Sequence, residues 1–293
     1  VVIELSCEGA TAVLLPEYGG RLHQLSVPLG GRAEPLLTSP GDVRRYRSEP
    51  TRGGSFPMAP WPNRIREGRF TWRGREYALE TSGGPNAIHG LVADAEWSVV
   101  ARTARVCEMT VRLDERWPWA ARVWQRFELA PGQLRMKMEV RADREAFPAG
   151  CGWHPCFRRE VGGTNEVRVQ APATRRYVLD EHLPTGAVVE PAGAFDLREL
   201  TALGERRLDD CYAGLAGPVV IDWGAVRLEI TTACIEPHLM VYSPAGAVCI
   251  EPQTCAPDAF NLAAAGVAGT GLAVAESGRA ASISCTWRWE TRS

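Results

Sequence analysis

The chain is constrained most by its punctuation. Glycine and proline recur throughout, 29 and 21 times in 293 residues, and the segments between them are short. Arg69-Phe70-Thr71-Trp72 alternates polar and apolar residues, Arg73-Gly74 follows, and Glu76-Tyr77-Ala78-Leu79 resumes the pattern. This is a hairpin signature, because a two-residue connection needs the left-handed backbone that glycine supplies. Strand-like runs at 97–101, 106–113, 121–129 and 134–140 follow closely, with Pro131-Gly132 as the turn between the last two. In Arg135-Met136-Lys137-Met138-Glu139-Val140 the apolar residues recur at period two and so share one face of a strand. Further strands are expected at 11–15, 166–170, 218–222, 226–231, 239–242, 248–251 and 281–289. Helix is expected only at 194–203 and near Asn261. No repeat and no linker interrupts the pattern. It predicts an all-β fold: a single domain over residues 1–293, built as one large antiparallel β-sandwich with few short helices.

Several function classes are disfavoured. The net charge is −2 with no basic stripe, so no nucleic-acid partner is expected. No apolar run approaches the roughly 20 residues of a membrane helix, so no membrane is expected as partner. Val1 to Ala10 carries Glu4 and Glu8 and no basic segment, which reads against a secretory leader. The nine cysteines are scattered, without a C-x-x-C pair, and read as buried, reduced thiols of a cytoplasmic protein. Cys151 and Cys156 flank His154, but no second ligand cluster of zinc spacing accompanies them, so no metal is expected. A monomer and a homodimer are both compatible with the sequence.

Four segments do not look like ordinary sandwich sequence. Pro60-Trp61-Pro62-Asn63-Arg64-Ile65 sets an amide beside a guanidinium fork, a pair suited to vicinal hydroxyls. Asn86-Ala87-Ile88-His89-Gly90 presents a loop histidine before glycine. In Gly152-Trp153-His154-Pro155-Cys156-Phe157, His154 can exchange a proton near neutral pH, and Trp153 and Phe157 could form a stacking wall. Cys249-Ile250-Glu251-Pro252 places a carboxylate at the end of an apolar strand that the proline is expected to close, where burial raises its pKa. Each segment also has a purely structural reading. Ile235-Glu236-Pro237-His238 repeats the Ile-Glu-Pro pattern, and physical reasoning alone does not rank Glu236 against Glu251.

Taken in order, these segments resemble the aldose 1-epimerase (galactose mutarotase) family. The matching pieces are Asn63-Arg64-Ile65 with Gly68 and Phe70, Gly74 with Tyr77 to Leu79, and His89-Gly90. They continue through His154-Pro155-x-Phe157, Leu208-Asp209-Asp210-Cys211-Tyr212, Val241-Tyr242 and Glu251-Pro252-Gln253-Thr254, ending at Pro257-Asp258-Ala259-Phe260-Asn261. The resemblance implies a galactose mutarotase-like supersandwich with a sugar cleft on one sheet. It implies His154 as general acid and Glu251 as general base, with Asn63, Arg64, His89 and Asp210 binding substrate. It sets Glu236 aside. The implied activity is interconversion of the α and β anomers of a free aldose, with no cofactor and a small sugar as partner.

Two positions depart from the family's pattern. Met240 stands where sugar-mutarotating members have a glutamine that contacts sugar, and Cys156 where an aromatic residue is usual. Methionine cannot replace an amide's hydrogen bonds to a hydroxyl. Both departures leave the proton-transfer pair intact. Two alternatives follow: a non-catalytic sugar-binding module, and a hexose-6-phosphate 1-epimerase with Arg158 and Arg159 as its cations. A metal hydrolase built from His89, His154 and His238 lacks any helix-spaced ligand pair.

Overall fold

The computed structural model describes residues 1–81, 83–164 and 166–292. Its strands form antiparallel ladders in two large sheets, one of eleven strands and one of nine. The nine-stranded sheet runs from Ser98–Arg102 through Val106–Arg112, Ala121–Ala130, Gln133–Ala142, Ala281–Thr291 and Val226–Ala233 to Val219–Asp222, Arg168–Gln170 and Thr201–Ala202. Its strands follow the period-two pattern. Val123, Gln125, Phe127 and Leu129 point inward beside Met136, Met138 and Val140 of the neighbouring strand, and the residues alternating with them face outward.

The eleven-stranded sheet holds, in order, Ile3–Cys7, Ala10–Leu15, Arg21–Leu29, Ser55–Met58, Gly152–Arg158, Ala247–Gln253, His238–Tyr242, Asp209–Leu215, Ala173–Asp180 and Leu183–Val189. Arg32–Pro35 pairs with Arg21–Leu29 beside that path. The inner faces of the two sheets meet in one core. Trp153, Phe157, Ile250 and Val241 from this sheet share it with Phe127, Met136, Val140 and Trp287 from the other. The Phe157 and Trp287 rings lie 5.0 Å apart. Burying one such side chain contributes about 1.5–3 kcal/mol.

A polar tie crosses this core. Gln125, fully buried in the nine-stranded sheet, donates to the Gly20 carbonyl at 2.7 Å and accepts from the Trp153 indole at 3.3 Å. Gly20 has φ +60°, and a Cβ there would sit 2.7 Å from both the Gln125 amide and Trp97, so glycine is required. The tie holds the central Gly152–Arg158 strand in place by its core face.

Most expected strands are present, including the hairpin Arg69–Trp72 and Arg75–Ala78, whose turn residues Arg73 and Gly74 have φ +51° and +77°. The stretch near Asn261 forms the helix Ala259–Ala264. The helix expected at 194–203 is absent: Gly193–Phe195 makes a single 3₁₀ turn and Thr201–Ala202 is an edge strand. Asp196 explains part of this, because its side chain accepts from the Arg198 backbone N–H at 3.1 Å and so offers the chain a local turn in place of helix. No helix of the described residues is long and apolar enough to cross a membrane.

Candidate active site

Strand register assembles the centre. Gly152 pairs with Gln253 and Cys156 with Cys249, which sets His154 opposite Glu251. Glu251 in turn pairs with Met240, and Met240 with Cys211. On its other side His154 pairs with Phe56. One row therefore crosses the sheet as Phe56, His154, Glu251, Met240 and Cys211. The next row on the same face is Cys156, Cys249, Tyr242 and Asp209. Between Cys156 and Gly152 no ladder pair links the two central strands, and each strand carries a proline there, Pro155 and Pro252. Proline has no N–H to donate, so the ladder loosens where the reactive side chains stand. The Ala247–Gln253 strand nevertheless continues to Gln253, so Pro252 does not close it as expected.

His154 Nε2 lies 3.1 Å from Glu251 Oε1, and both side chains are buried. Burial opposes a charge on His154, but the Glu251 carboxylate, with Cys156, more than offsets this and pushes its pKa up to about 9. Burial pushes Glu251 up to about 7, although the adjacent imidazolium opposes the shift. Between those values the imidazole holds its proton while the carboxylate is ionised. Glu251 Oε2 is buried without a hydrogen-bond partner. Buried polar atoms in native folds are nearly always paired, so this carboxylate oxygen is an acceptor that the protein's own donors leave unused.

Two clamped loops supply the wall. Arg64 pairs with Ile88, the His89 backbone N–H donates to the Asn63 carbonyl at 2.8 Å, and the Asp258 N–H donates to the Arg64 carbonyl at 2.7 Å. Asn63 and His89 have φ +52° and +60°. Gly90 follows because a Cβ there would lie 2.0 Å from the Ala59 carbonyl oxygen. The His89 ring stands edge-on to His154 with centroids 5.2 Å apart. Burial, then the charge on His154, holds its pKa well below the usual value, so His89 is neutral, and its Nδ1 is buried without a partner. Arg64 Nη1 donates to Asn63 Oδ1 at 3.4 Å. The resulting cavity of about 270 Å³ is lined by Asn63, Arg64, His89, His154, His182, Asp209, Tyr242 and Glu251.

The model of the aldose 1-epimerase family matches residues 1–280. The chain belongs to that family. It is 27% identical to YihR of Escherichia coli (strain K12), an uncharacterised protein, over 95% of this chain and 92% of that one. It is 31% identical to the galactose mutarotase of Bos taurus over 60% of this chain, spanning 54% of the relative. Among solved structures, the GalM/aldose epimerase homologue from C. elegans superposes with TM-score 0.86 at 20% identity, covering 100% of this chain and 99% of that one. Galactose 1-epimerase from Lactobacillus acidophilus superposes with TM-score 0.80 at 20% identity, covering 100% and 95%. At these identities the structural likeness establishes the galactose mutarotase-like fold.

Within this aldose 1-epimerase fold, His154, Glu251, Asn63, Arg64 and His89 come together, and Asp210 does not join them. Asp210 pairs with Val241 and so points to the opposite face, where Arg176 Nη1 donates to it at 2.8 Å. Its neighbour Asp209 lines the cleft, with Oδ2 2.7 Å from His182 Nδ1. A shift of one residue along a strand exchanges faces, so a Asp-Asp pair could not be resolved without register. The same parity corrects the stacking wall: Trp153 and Phe157 are fully buried in the core, and Phe56 is the ring stacked on His154, at 4.6 Å. The carboxylate that sustains His154's charge is that of Glu251. His182, Tyr242 and Phe56 were missed as site residues. Composition offered one hint, since three of the chain's five histidines line this cavity.

The remaining histidines and cations lie apart. His238 is held by Tyr177 and the Gly269 carbonyl, and Glu236 pairs with Arg175. Arg158 donates to the Pro35 carbonyl and Arg159 to those of Pro244 and Gly204; neither lines the cavity. Met240 forms apolar floor beside Glu251, packed with Tyr177, Cys211, Ala256 and Leu262.

Proposed function

We propose that the protein is an isomerase that interconverts the α and β anomers of a free aldose. One observation carries the reading: a buried imidazole–carboxylate pair on the cleft floor, with one carboxylate oxygen unpartnered. Glu251 takes the proton from the C1 hydroxyl while His154 gives one to the ring oxygen. The C1–O5 bond breaks and an aldehyde forms. Rotation about C1–C2 presents the other carbonyl face, and the ring closes with the two roles reversed. Proton balance is internal, so His154 and Glu251 return to their starting states over a forward and reverse half-cycle. Each positioned acid or base contributes about 10²–10⁴-fold.

Asn63, Arg64, neutral His89 and Asp209 supply donors and acceptors for the sugar hydroxyls, and holding them fixed lowers the entropic part of the barrier. A neutral aldose is favoured over a sugar phosphate, because Arg158 and Arg159 are engaged by backbone carbonyls away from the cleft. The test is polarimetry on freshly dissolved α-glucose, α-galactose and further aldoses, with wild type and Glu251→Gln side by side. Acceleration by wild type alone is the expected result. A fully active Glu251→Gln, or no acceleration of any neutral aldose, overturns the proposal.

A further inference from the structure

We propose that Cys156, Cys249 and Nδ1 of His154 form a binding site for a thiophilic divalent cation, with zinc the best match. The sequence spacing argued against zinc because no second ligand cluster is visible along the chain. Strand pairing supplies it. Cys156 and Cys249 are direct partners across the two central strands. Their sulfurs are 3.5 Å apart, and Cys156 Sγ is 3.6 Å from His154 Nδ1. The three ligand atoms all lie within 4.8 Å of one another, and no other such group occurs among the described residues.

These spacings match a tetrahedral ion. Zinc–sulfur bonds of about 2.3 Å and zinc–nitrogen bonds of about 2.0–2.1 Å place ligand sulfurs roughly 3.8 Å apart, and sulfur and nitrogen roughly 3.5 Å apart. The sulfur–sulfur separation and the Cys156 sulfur–nitrogen separation differ from these by a few tenths of an ångström, and the Cys249 sulfur lies within 4.8 Å of Nδ1. A disulfide would need the sulfurs at about 2.0 Å. Two thiolates and a neutral imidazole balance the charge of a dication. The other ring nitrogen of His154 faces the Glu251 carboxylate, the arrangement in which an outer carboxylate orients a metal-bound histidine.

The cation is an inhibitor of the acid–base pair, a consequence that rests on the epimerase reading. A histidine ligated through Nδ1 can no longer become imidazolium, so it cannot protonate the ring oxygen. Three protein ligands leave a fourth position for water or solute.

Cobalt(II) tests binding independently of activity. Reduced wild-type protein is expected to take up one cobalt per chain, with thiolate-to-cobalt charge-transfer absorption and the strong visible bands of a tetrahedral ion. Zinc displaces it. Cys156→Ser and Cys249→Ser each lose charge-transfer intensity, Cys107→Ser in the distant sheet retains it, and Glu251→Gln weakens binding about 10–100-fold. In the rate arm, zinc slows wild type relative to its own metal-free rate, and Cys249→Ser resists the same zinc concentration. Weak, six-coordinate cobalt bands, or bands that persist in both cysteine variants, overturn the site. Tetrahedral bands in a protein without mutarotase activity uphold the site and sink the epimerase reading. Mutarotase activity without those bands sinks the site alone.

Discussion

The Ala121–Ala130 strand of the nine-stranded sheet and the Gly152–Arg158 strand of the eleven-stranded sheet face each other across one core, yet bury themselves differently. In the first, buried residues alternate with half-buried ones, and outward Arg126 pairs with Glu108 and Glu128 in solvent. In the second, every residue from Gly152 to Phe157 is buried. The Ala247–Gln253 strand beside it is buried from Val248 onward. A strand covered on one face needs only apolar residues there. A strand covered on both must place something on its second face, and here that face holds His154, Cys156, Cys249 and Glu251. Double burial of polar side chains thus marks the site strands off from the merely structural ones.

Substitutions on the two faces and two sheets can break this contrast. The largest effect belongs to Glu251→Gln, which is expected to lower turnover by about 10²–10⁴-fold while sugar binding persists. NMR exchange between anomers and a binding titration measure the two quantities separately. Loss of binding with turnover per bound complex intact would contradict the role of Glu251.

Next come the adjacent aspartates. Asp209→Asn should weaken sugar binding, seen as a raised KM, with little change in unfolding midpoint. Asp210→Asn should leave KM in place and cost about 1–3 kcal/mol of stability, because it weakens the acceptor of the mostly buried Arg176 guanidinium. Kinetics and urea unfolding on both variants decide the matter, and the reverse pattern would mean that the faces are misassigned. Gln125→Leu removes the tie between the sheets and is expected to cost a similar 1–3 kcal/mol by leaving the Trp153 indole unpaired. The smallest effect is expected from Arg126→Ala, whose solvent-screened pairs contribute less than about 1 kcal/mol, with kinetics unchanged.

The same contrast governs what could be read from sequence. Strands such as 121–129 and 134–140 advertise themselves by alternation, and nearly the whole nine-stranded sheet was legible. Ser55–Met58, Gly152–Arg158 and Asp209–Leu215 were not read as strands at all. Their consecutive buried residues hide the period-two signal, and Pro57 and Pro155 further break the first two. The proton-transfer pair was found through family resemblance, and register then explains its proximity. The Asp209/Asp210 choice needed register, since neighbouring identical residues differ only in the face they occupy. His182 comes from a hairpin turn across the sheet and carries no local signal beyond its residue type.

The most direct measurement is the pH dependence of kcat/KM for mutarotation, which reports the free protein. Glu251 must be ionised, so activity should rise as pH passes through about 7. His154 must keep its proton, so activity should fall as pH passes through about 9. The two limbs belong to the coupled pair, and Glu251→Gln should abolish the acid limb in whatever activity remains. A bell with its maximum between those values is the expected result. A profile that stays flat across both limbs in an active enzyme would show that the His154–Glu251 pair is not what moves the protons.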